Sequence, residues 1–296
     1  METFMKGRNI PLIHASVDPE KIGRNVHTAV GLVGDIDLIA KDLVEAVKGM
    51  ISEAQLDRRT AERRQKIAAY SAGKHAGTRE AGRRSKGEPV PWQKLLYELD
   101  ELMDPDAVVV EELGRGERTV SHINFSPDGR LKIGRTTGMA LGWGVGASVG
   151  VKLALPDRQV VSIQGDGGFM FGQSDSLWSM SRYDVPVLTV ILNNRSYEAT
   201  RFRIMGRGDA GSANRDYVSF LGDPDMDFAK LASVYNIPGE VVTNSDQVRP
   251  AIQRGFRTLA DGRPYMIDAR TASWGTGADL TQYQKFSVAE QRKRKV

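Results

Sequence analysis

Two largely apolar runs, residues 160–164 and 187–192, constrain the fold of this chain more than any other feature. Each has the length of a buried strand, and each is followed at once by glycine or asparagine. Near-continuous apolar runs are typical of parallel strands, because helices cover both faces of a parallel sheet. Helical patterns separate and follow the two runs, so we expect a doubly wound α/β domain.

The alternation of helices and strands continues on both sides of these runs, from residue 89 to residue 270. The other predicted helices lie around 95–102, 142–155, 177–180, 228–235 and 248–259, and the other predicted strands at 107–110, 241–242 and 265–269.

A smaller α/β unit is predicted near the N-terminus, with strands at 10–13 and 29–33 and a helix through 38–47. It is too short to cover its own sheet. The stretch 51–88 is highly charged and rich in glycine, which predicts a solvated helix followed by a flexible linker.

The sequence therefore predicts four regions. They are a partial α/β unit (1–50), a charged helix and linker (51–88), the doubly wound domain (89–270) and a C-terminal tail (271–296).

Composition excludes several classes of function. The 296 residues include no cysteine, which rules out disulfides, thiolate metal sites and cysteine nucleophiles. The net charge of +4 reflects basic segments, notably 58–86 and 292–295, without a nucleic-acid-reading motif. Neither a signal peptide nor a membrane-spanning segment is evident. We expect a cytoplasmic protein that binds neither nucleic acid nor membrane.

Polar residues follow both central strands. Asp166 lies within Gly165-Asp166-Gly167-Gly168, and Asn194 follows the next strand. Because parallel strands end at one edge of the sheet, both side chains should face one ligand. The Asp166 carboxylate, the Asn194 amide oxygen and the Ser196 carbonyl suit Mg²⁺, with diphosphate oxygens and water as its remaining ligands. Gly167 and Gly168 would let backbone N–H groups approach the phosphates. These residues predict a magnesium-diphosphate site.

This arrangement of Gly165-Asp166-Gly167 and Asn193-Asn194 resembles the fingerprint of thiamine-diphosphate-dependent enzymes. The stretches 138–144 and 154–158 also resemble benzoylformate decarboxylase and acetolactate synthase. The resemblance implies thiamine diphosphate and Mg²⁺ as cofactors.

The resemblance also implies roles for individual residues. It assigns catalytic roles to Leu141, as the apolar wedge that bends the cofactor, and to Met139, whose carbonyl bonds the pyrimidine amino group. Further implied cofactor contacts are Gly165, Gly167, Gly168, Glu112, Gly114, Arg115 and Tyr197, although Leu113 and Gly114 depart from the hydroxyl residues often found there. For Tyr197, packing is an equal alternative.

Residues 14–25 and 33–35 resemble the end of the family's central domain. In the family, a preceding domain binds the pyrimidine and supplies a catalytic glutamate, for which this chain shows no matching candidate. The resemblance therefore implies a separate subunit that carries this glutamate, in a dimer of heterodimers. A truncated chain or a degenerate remnant is the alternative.

The predicted function is that of a subunit of a heteromeric thiamine-diphosphate-dependent lyase or decarboxylase. Its substrate would be a 2-oxo acid or a 2-hydroxyacyl-CoA. The alternatives are a carboligase subunit like acetolactate synthase and a non-catalytic, cofactor-binding regulatory subunit. The arginine-rich stretch 201–225 and the tail 271–296 are candidate lids, and the arginines would suit an anionic substrate.

Overall fold

The computed structural model describes residues 10–114, 117–126, 128–134, 140–172, 174–205 and 219–273. The chain divides between Gly73 and Lys74 into two compact units.

The first unit contains a two-stranded parallel sheet and one amphipathic helix. Its elements are β1 (Ile13–Ser16), a 3₁₀ helix (Pro19–Lys21), β2 (Val30–Val33), α1 (Ile36–Met50) and the first part of α2 (Glu53–Arg84). The first strand starts at Ile13, so its predicted position at 10–13 is wrong. Pro11 has no N–H to donate and therefore disfavours ladder pairing there.

Helix α2 runs through three of the glycines that predicted a linker. Gly82 lies against Tyr97 of helix α3 (Trp92–Leu102), where a Cβ would come within 2.7 Å of the tyrosine Cβ. Arg79 forms ion pairs with Asp100 and Glu101 of α3. A glycine costs a helix only about 1 kcal/mol, and these contacts offset that cost. The predicted flexible linker is therefore helical as far as Arg84.

The second unit is built on a six-stranded sheet in which every pair of neighbouring strands is parallel. In spatial order the strands are β4 (Leu131–Ile133), β3 (Val108–Glu112), β5 (Val160–Gly165), β6 (Val187–Asn193), β8 (Tyr265–Arg270) and β7 (Gly239–Val242).

Seven further helices lie in the described part of this unit: α4 (Glu117–His122), α5 (Gly144–Ala154), α6 (Asp166–Phe171), α7 (Asp175–Arg182), α8 (Glu198–Met205), α9 (Phe228–Val234) and α10 (Ser245–Ala260). No helix among the described residues has both the length and the apolarity to cross a membrane.

The sheet is packed on both faces, which confirms the predicted doubly wound fold. Val161 belongs to a core cluster that includes Leu96 and Ile252 from α3 and α10. Its neighbour Val160 belongs to a second cluster with Met180 and Phe228 from α7 and α9. Because consecutive strand residues point to opposite faces, both must be apolar, and this produces the largely apolar runs.

The chain changes direction across the sheet beside β3. The connection from β3 leads to β4 on one side, and the chain then returns to β5 on the other side. Such a switch point leaves a crevice at the carboxyl ends of the two diverging strands, where α/β proteins bind ligands.

Candidate functional site

A cleft opens at the carboxyl ends of β3, β5, β6 and β8, and most of the predicted site residues meet there. Those that line it are Glu112, Gly114, Leu141, Gly165, Asp166, Gly167, Gly168, Asn194, Ser196 and Tyr197. Two other predicted residues, Met139 and Arg115, lie outside the described residues. The same holds for most of the candidate lids, 206–218 and 274–296.

The side chains of Asp166 and Asn194 converge on one backbone donor. The N–H of Ser196 donates to Asp166 Oδ2 at 3.2 Å and to Asn194 Oδ1 at 3.0 Å. Strands β5 and β6 are neighbours in register, with Gly165 opposite Leu192, so the residues that follow them lie side by side. An anionic and a neutral oxygen therefore lie close together at the bottom of the cleft.

Asp166 is a buried acid without a cation beside it in the described part of the chain. Its side chain accepts hydrogen bonds from the backbone N–H groups of Gly167 and Ser196, and the residue is 4% exposed. Burial raises the pKa of Asp166 to about 7, although the hydrogen bonds from Gly167, Ser196 and Arg195 act in the opposite direction. A buried carboxylate of this kind favours the approach of a cation.

The two asparagines of the motif have different surroundings. Asn193 is 2% exposed and turns away from the cleft, since its amide donates to Asp268 Oδ1 at 3.0 Å and to the Met226 carbonyl. Asp268 also accepts from the backbone N–H of Phe228. Asn193 thus connects β6 to β8 and to the segment before α9, while Asn194 lines the cleft.

The turn that contains Ser196 is fixed by a second backbone segment. Ser196 forms an antiparallel bridge with Phe220, and the Tyr197 N–H donates to the Ser219 carbonyl at 2.8 Å. The Ser196 side chain is buried, and its Oγ lacks a hydrogen-bond partner among the described residues. No pattern in the sequence predicts this pairing.

Two glycines of the motif pack closely against the cleft wall, and the contact is closer at Gly167 than at Gly168. A Cβ on Gly167 would lie 2.5 Å from the ring of Tyr197, and one on Gly168 would lie 3.3 Å from Glu112 Oε1. The expectation was that these glycines make room for phosphates. The structure adds a second reason, because larger residues would displace Tyr197 or crowd Glu112.

Leu141 and Glu112 belong to one local arrangement. Leu141 is 42% exposed and lines the cleft just before α5. Glu112, the last residue of β3, is 2% exposed, and its two carboxylate oxygens accept from the backbone N–H groups of Gly142 and Gly144. Glu112 thus lies at the cleft, as expected, and its carboxylate contacts the turn after Leu141.

Comparison with known families agrees with this geometry. The sequence model of one protein family, described as the C-terminal TPP binding domain of thiamine pyrophosphate enzymes, matches residues 117–269, which is more than half of the chain. The chain belongs to the thiamine pyrophosphate enzyme family. The resemblance inferred from Asp166 and Asn194 is thereby confirmed.

Other members of the thiamine pyrophosphate enzyme family are similar over most of this chain. A probable acetolactate synthase large subunit of Methanococcus aeolicus is 25% identical over 88% of the chain and 43% of its own length. The chloroplastic acetolactate synthase 1 of Oryza sativa subsp. japonica is 27% identical over 87% of the chain and 38% of its own length. The chain thus spans less than half the length of these relatives.

A solved structure from the same family has a similar fold. The thiamine diphosphate-dependent 4-hydroxybenzoylformate decarboxylase of Rhodococcus jostii RHA1 superposes with a TM-score of 0.54 and 30% sequence identity. The match covers 63% of this chain and 33% of the decarboxylase.

Thiamine diphosphate, with Mg²⁺ as its usual partner metal, is the cofactor of the thiamine pyrophosphate enzyme family, and the residues of the cleft fit it. Asp166 offers a buried negative charge, and Ser196 Oγ is a buried polar atom without a partner among the described residues. No group of three or more His, Asp or Glu side chains within the described ranges could hold a metal. Mg²⁺ is commonly bound by one or two carboxylates together with phosphate oxygens and water.

The sequence analysis missed several residues that line the cleft of this chain, among them Leu192, Glu198 and Thr271. Leu192 and Thr271 lie at the carboxyl ends of β6 and β8, so the rule that identified Asp166 could have included them. Glu198 begins α8, a helix that the sequence pattern did not predict.

Proposed function

We propose that this chain binds the diphosphate end of thiamine diphosphate through Mg²⁺ and takes part in carbon–carbon bond chemistry at a 2-oxo acid. The observation that carries the proposal is the convergence of Asp166 and Asn194 on the Ser196 N–H. An anionic oxygen and a neutral oxygen close together at a switch point are suited to a magnesium ion that also holds a diphosphate.

The residues predicted from the sequence have the following proposed roles. Asp166 contributes the charged metal ligand, Asn194 its amide oxygen and Ser196 its backbone carbonyl. Leu141 supports the cofactor rings from the side of α5. The remaining proposed cofactor contacts are Gly165, Gly167, Gly168, Gly114 and Tyr197, together with Arg115 and the Met139 carbonyl, and Glu112 is proposed to act on the cofactor only through the turn that it contacts.

The names of three relatives support the substrate class. The Rhodococcus enzyme is named for decarboxylation of 4-hydroxybenzoylformate, which is a 2-oxo acid, and the acetolactate synthases are named for a carboligation product. When bound, thiamine diphosphate supplies the nucleophilic carbon and the electron sink for such reactions. We propose decarboxylation or carbon–carbon cleavage as the reaction of this chain, with carboligation as the alternative outcome.

We also propose that a partner subunit completes the site and supplies the catalytic glutamate. The first unit supports this proposal, because its two-stranded parallel sheet exposes Ile13, Val30 and Val33, and α1 exposes Val44 and Val47. Contiguous apolar side chains exposed on both a sheet and a helix are typical of a surface that binds another protein segment. Strands from the partner would extend the sheet at its edge and other partner segments would cover these side chains, in an assembly that we propose is a dimer of heterodimers.

A binding experiment tests the metal-diphosphate proposal without the partner. Calorimetric titration with Mg²⁺ and inorganic pyrophosphate, and separately with thiamine diphosphate, should give saturable binding to the purified protein. D166A should abolish it, whereas D157A, which removes an exposed acid outside the cleft, should leave it unchanged. Equal affinities of D166A and the wild type would overturn the ligand assignment.

A second experiment tests the reaction and the partner. The chain is expressed alone and together with the product of a neighbouring gene, and carbon dioxide, aldehyde and acetolactate are measured with 2-oxo acids and 2-hydroxyacyl-CoA thioesters. Turnover is expected only with the partner, and V33K should prevent assembly while V234K, an exposed position on α9, should not. Full activity of the lone chain contradicts the partner proposal, and cofactor binding without turnover in either preparation contradicts the enzymatic proposal.

A further inference from the structure

The turn that carries Leu141 is held by a carboxylate from the neighbouring strand. Glu112 Oε1 accepts from the Gly142 N–H, and Glu112 Oε2 accepts from the Gly144 N–H at 2.6 Å. Both carboxylate oxygens therefore contact the segment 142–144, which starts directly after Leu141 and ends at the first residue of helix α5.

Close packing fixes the other contacts of this turn. Gly142 has a φ of +90°, and a Cβ there would come within 2.3 Å of the Gly172 backbone nitrogen. Gly144 lies against the Gln164 side chain, where a Cβ would come within 2.4 Å of its amide oxygen. The two glycines leave no side chain to hold the turn, and Leu141 directly precedes it, so loss of the hydrogen bonds to Glu112 should let Leu141 move.

A carboxylate is well matched to this task. Its two oxygens accept from two N–H groups at once, and hydrogen bonds to a charged acceptor are stronger than those to a neutral one. The negative charge also lies near the first residues of α5, where the helix dipole favours an anion. A glutamine at this position would offer one oxygen and would direct its NH₂ group toward one of the two donors.

We infer that Glu112 is a positioning residue, which places Leu141 against the bound cofactor by holding the 141–144 turn and does not itself bind the diphosphate. The inference rests on the proposed function in one respect, namely that Leu141 supports the cofactor rings. The contact between Glu112 and the turn is independent of that function.

The test compares E112Q with a matched control, E111Q. Glu111 precedes Glu112 in β3 and is equally buried, but its carboxylate contacts Thr119 and Lys132. Hydrogen exchange of the Gly142 and Gly144 amides should become at least about tenfold faster in E112Q, in line with the loss of a hydrogen bond to a charged group. Their exchange should be unchanged in E111Q.

Binding measurements on the same variants separate positioning from direct contact. E112Q should bind Mg²⁺ and pyrophosphate with wild-type affinity, because Asp166 and Asn194 are intact, and should bind thiamine diphosphate more weakly. E112D, which keeps the charge on a shorter side chain, should lie between E112Q and the wild type, and it provides the same comparison if E112Q does not fold.

Two results would overturn the inference. One is unchanged exchange of the Gly142 and Gly144 amides in E112Q, and the other is a loss of pyrophosphate binding in E112Q as large as that in D166A. Failure of the proposed function would give a different result, because D166A would then bind Mg²⁺ and pyrophosphate like the wild type. The exchange rates of the Gly142 and Gly144 amides in E112Q would still test the contact between Glu112 and the turn.

Discussion

Asp166 and Asn194, which follow different strands, accept hydrogen bonds from the same backbone N–H, that of Ser196. Since one donor serves both side chains, the removal of either acceptor leaves the N–H with the other. The pair is thus arranged so that Asp166 contributes charge to the cleft without being the only acceptor for the turn. Asp166 therefore lowers the stability of the fold chiefly because its charge is buried.

This arrangement predicts the effect of D166N on stability. Without metal, the variant should be as stable as the wild type or more stable by up to about 2 kcal/mol, because it removes a buried charge and leaves the Ser196 N–H bonded to Asn194. Added Mg²⁺ and thiamine diphosphate should raise the melting temperature of the wild type only. Calorimetry with and without ligands measures both effects, and D157N serves as the exposed control. A D166N protein that is clearly less stable without ligands would contradict this prediction.

A second prediction concerns the pH dependence of an ion pair outside the cleft. Arg254 of α10 donates to both oxygens of Glu240 on β7, and Tyr265 of β8 donates to Glu240 Oε1 at 2.8 Å. Burial tends to raise the pKa of Glu240, but the hydrogen bonds from Arg254 and Tyr265 and the charge of Arg254 outweigh it, so the pKa is lowered from 4.5. Stability from this group is present above 4.5 and is lost as the pH falls through the lowered pKa.

The substitution E240Q should accordingly reduce the free energy of unfolding at neutral pH by about 1 kcal/mol, a value kept small because the pair is partly exposed. The difference from the wild type should shrink at acid pH. Urea denaturation across this range measures it. The control E62Q breaks a pair whose side chains are both 75% exposed, and it should have no measurable effect. A difference between E240Q and the wild type that does not depend on pH would exclude this role for Glu240.

The central sheet and the metal-binding candidates could be predicted because both depend on local patterns. Burial of the strands on two faces explains the apolar runs. Because parallel strands end at one edge of the sheet, Asp166 and Asn194 are expected to lie together from their positions after two strands alone. The short strand Leu131–Ile133 escaped prediction because its residues are only half-buried and it has three positions in which to show a pattern.

The remaining site contacts depend on pairing between distant segments. The bridge between Ser196 and Phe220 joins two segments that are separated by a long connection, and no pattern in either segment shows that it pairs with the other. Glu112 was assigned to the cleft by resemblance, but its hydrogen bonds to Gly142 and Gly144 arise only when β3 and the start of α5 come together. Helix α2 shows the opposite error, because glycine predicts a break at position 82, whereas in the structure Gly82 packs closely on Tyr97 within the helix.

A third prediction uses two glycines of the same helix. In α5, a Cβ on Gly144 would collide with the buried Gln164 side chain, whereas a Cβ on Gly150 would meet nothing within 4 Å. G144A should therefore lower the free energy of unfolding by about 1 to 3 kcal/mol, and G150A should raise it by up to about 1 kcal/mol. Chemical denaturation of the two variants provides the comparison. Equal effects of the two substitutions would contradict the proposed packing of Gly144 on Gln164.

The last prediction concerns the wall formed by Gly167 and Tyr197. A Cβ on Gly167 would lie 2.5 Å from the tyrosine ring, so G167A should displace Tyr197 and lower the free energy of unfolding by about 1 to 3 kcal/mol. If the clash is the cause, the double variant G167A/Y197A should lose less stability than the two single variants combined, with a coupling of at least about 0.5 kcal/mol.

The control for that cycle is G73A, since a Cβ on Gly73 in α2 meets nothing within 4 Å, and its effect should add to that of Y197A. Titration of the same variants with Mg²⁺ and thiamine diphosphate then decides between packing and cofactor contact for Tyr197. If Tyr197 contacts the cofactor, folded Y197A should bind thiamine diphosphate more weakly than the wild type. Unchanged affinity in folded Y197A would leave the ring a purely structural role, because its only demonstrated effect would then be to require glycine at position 167.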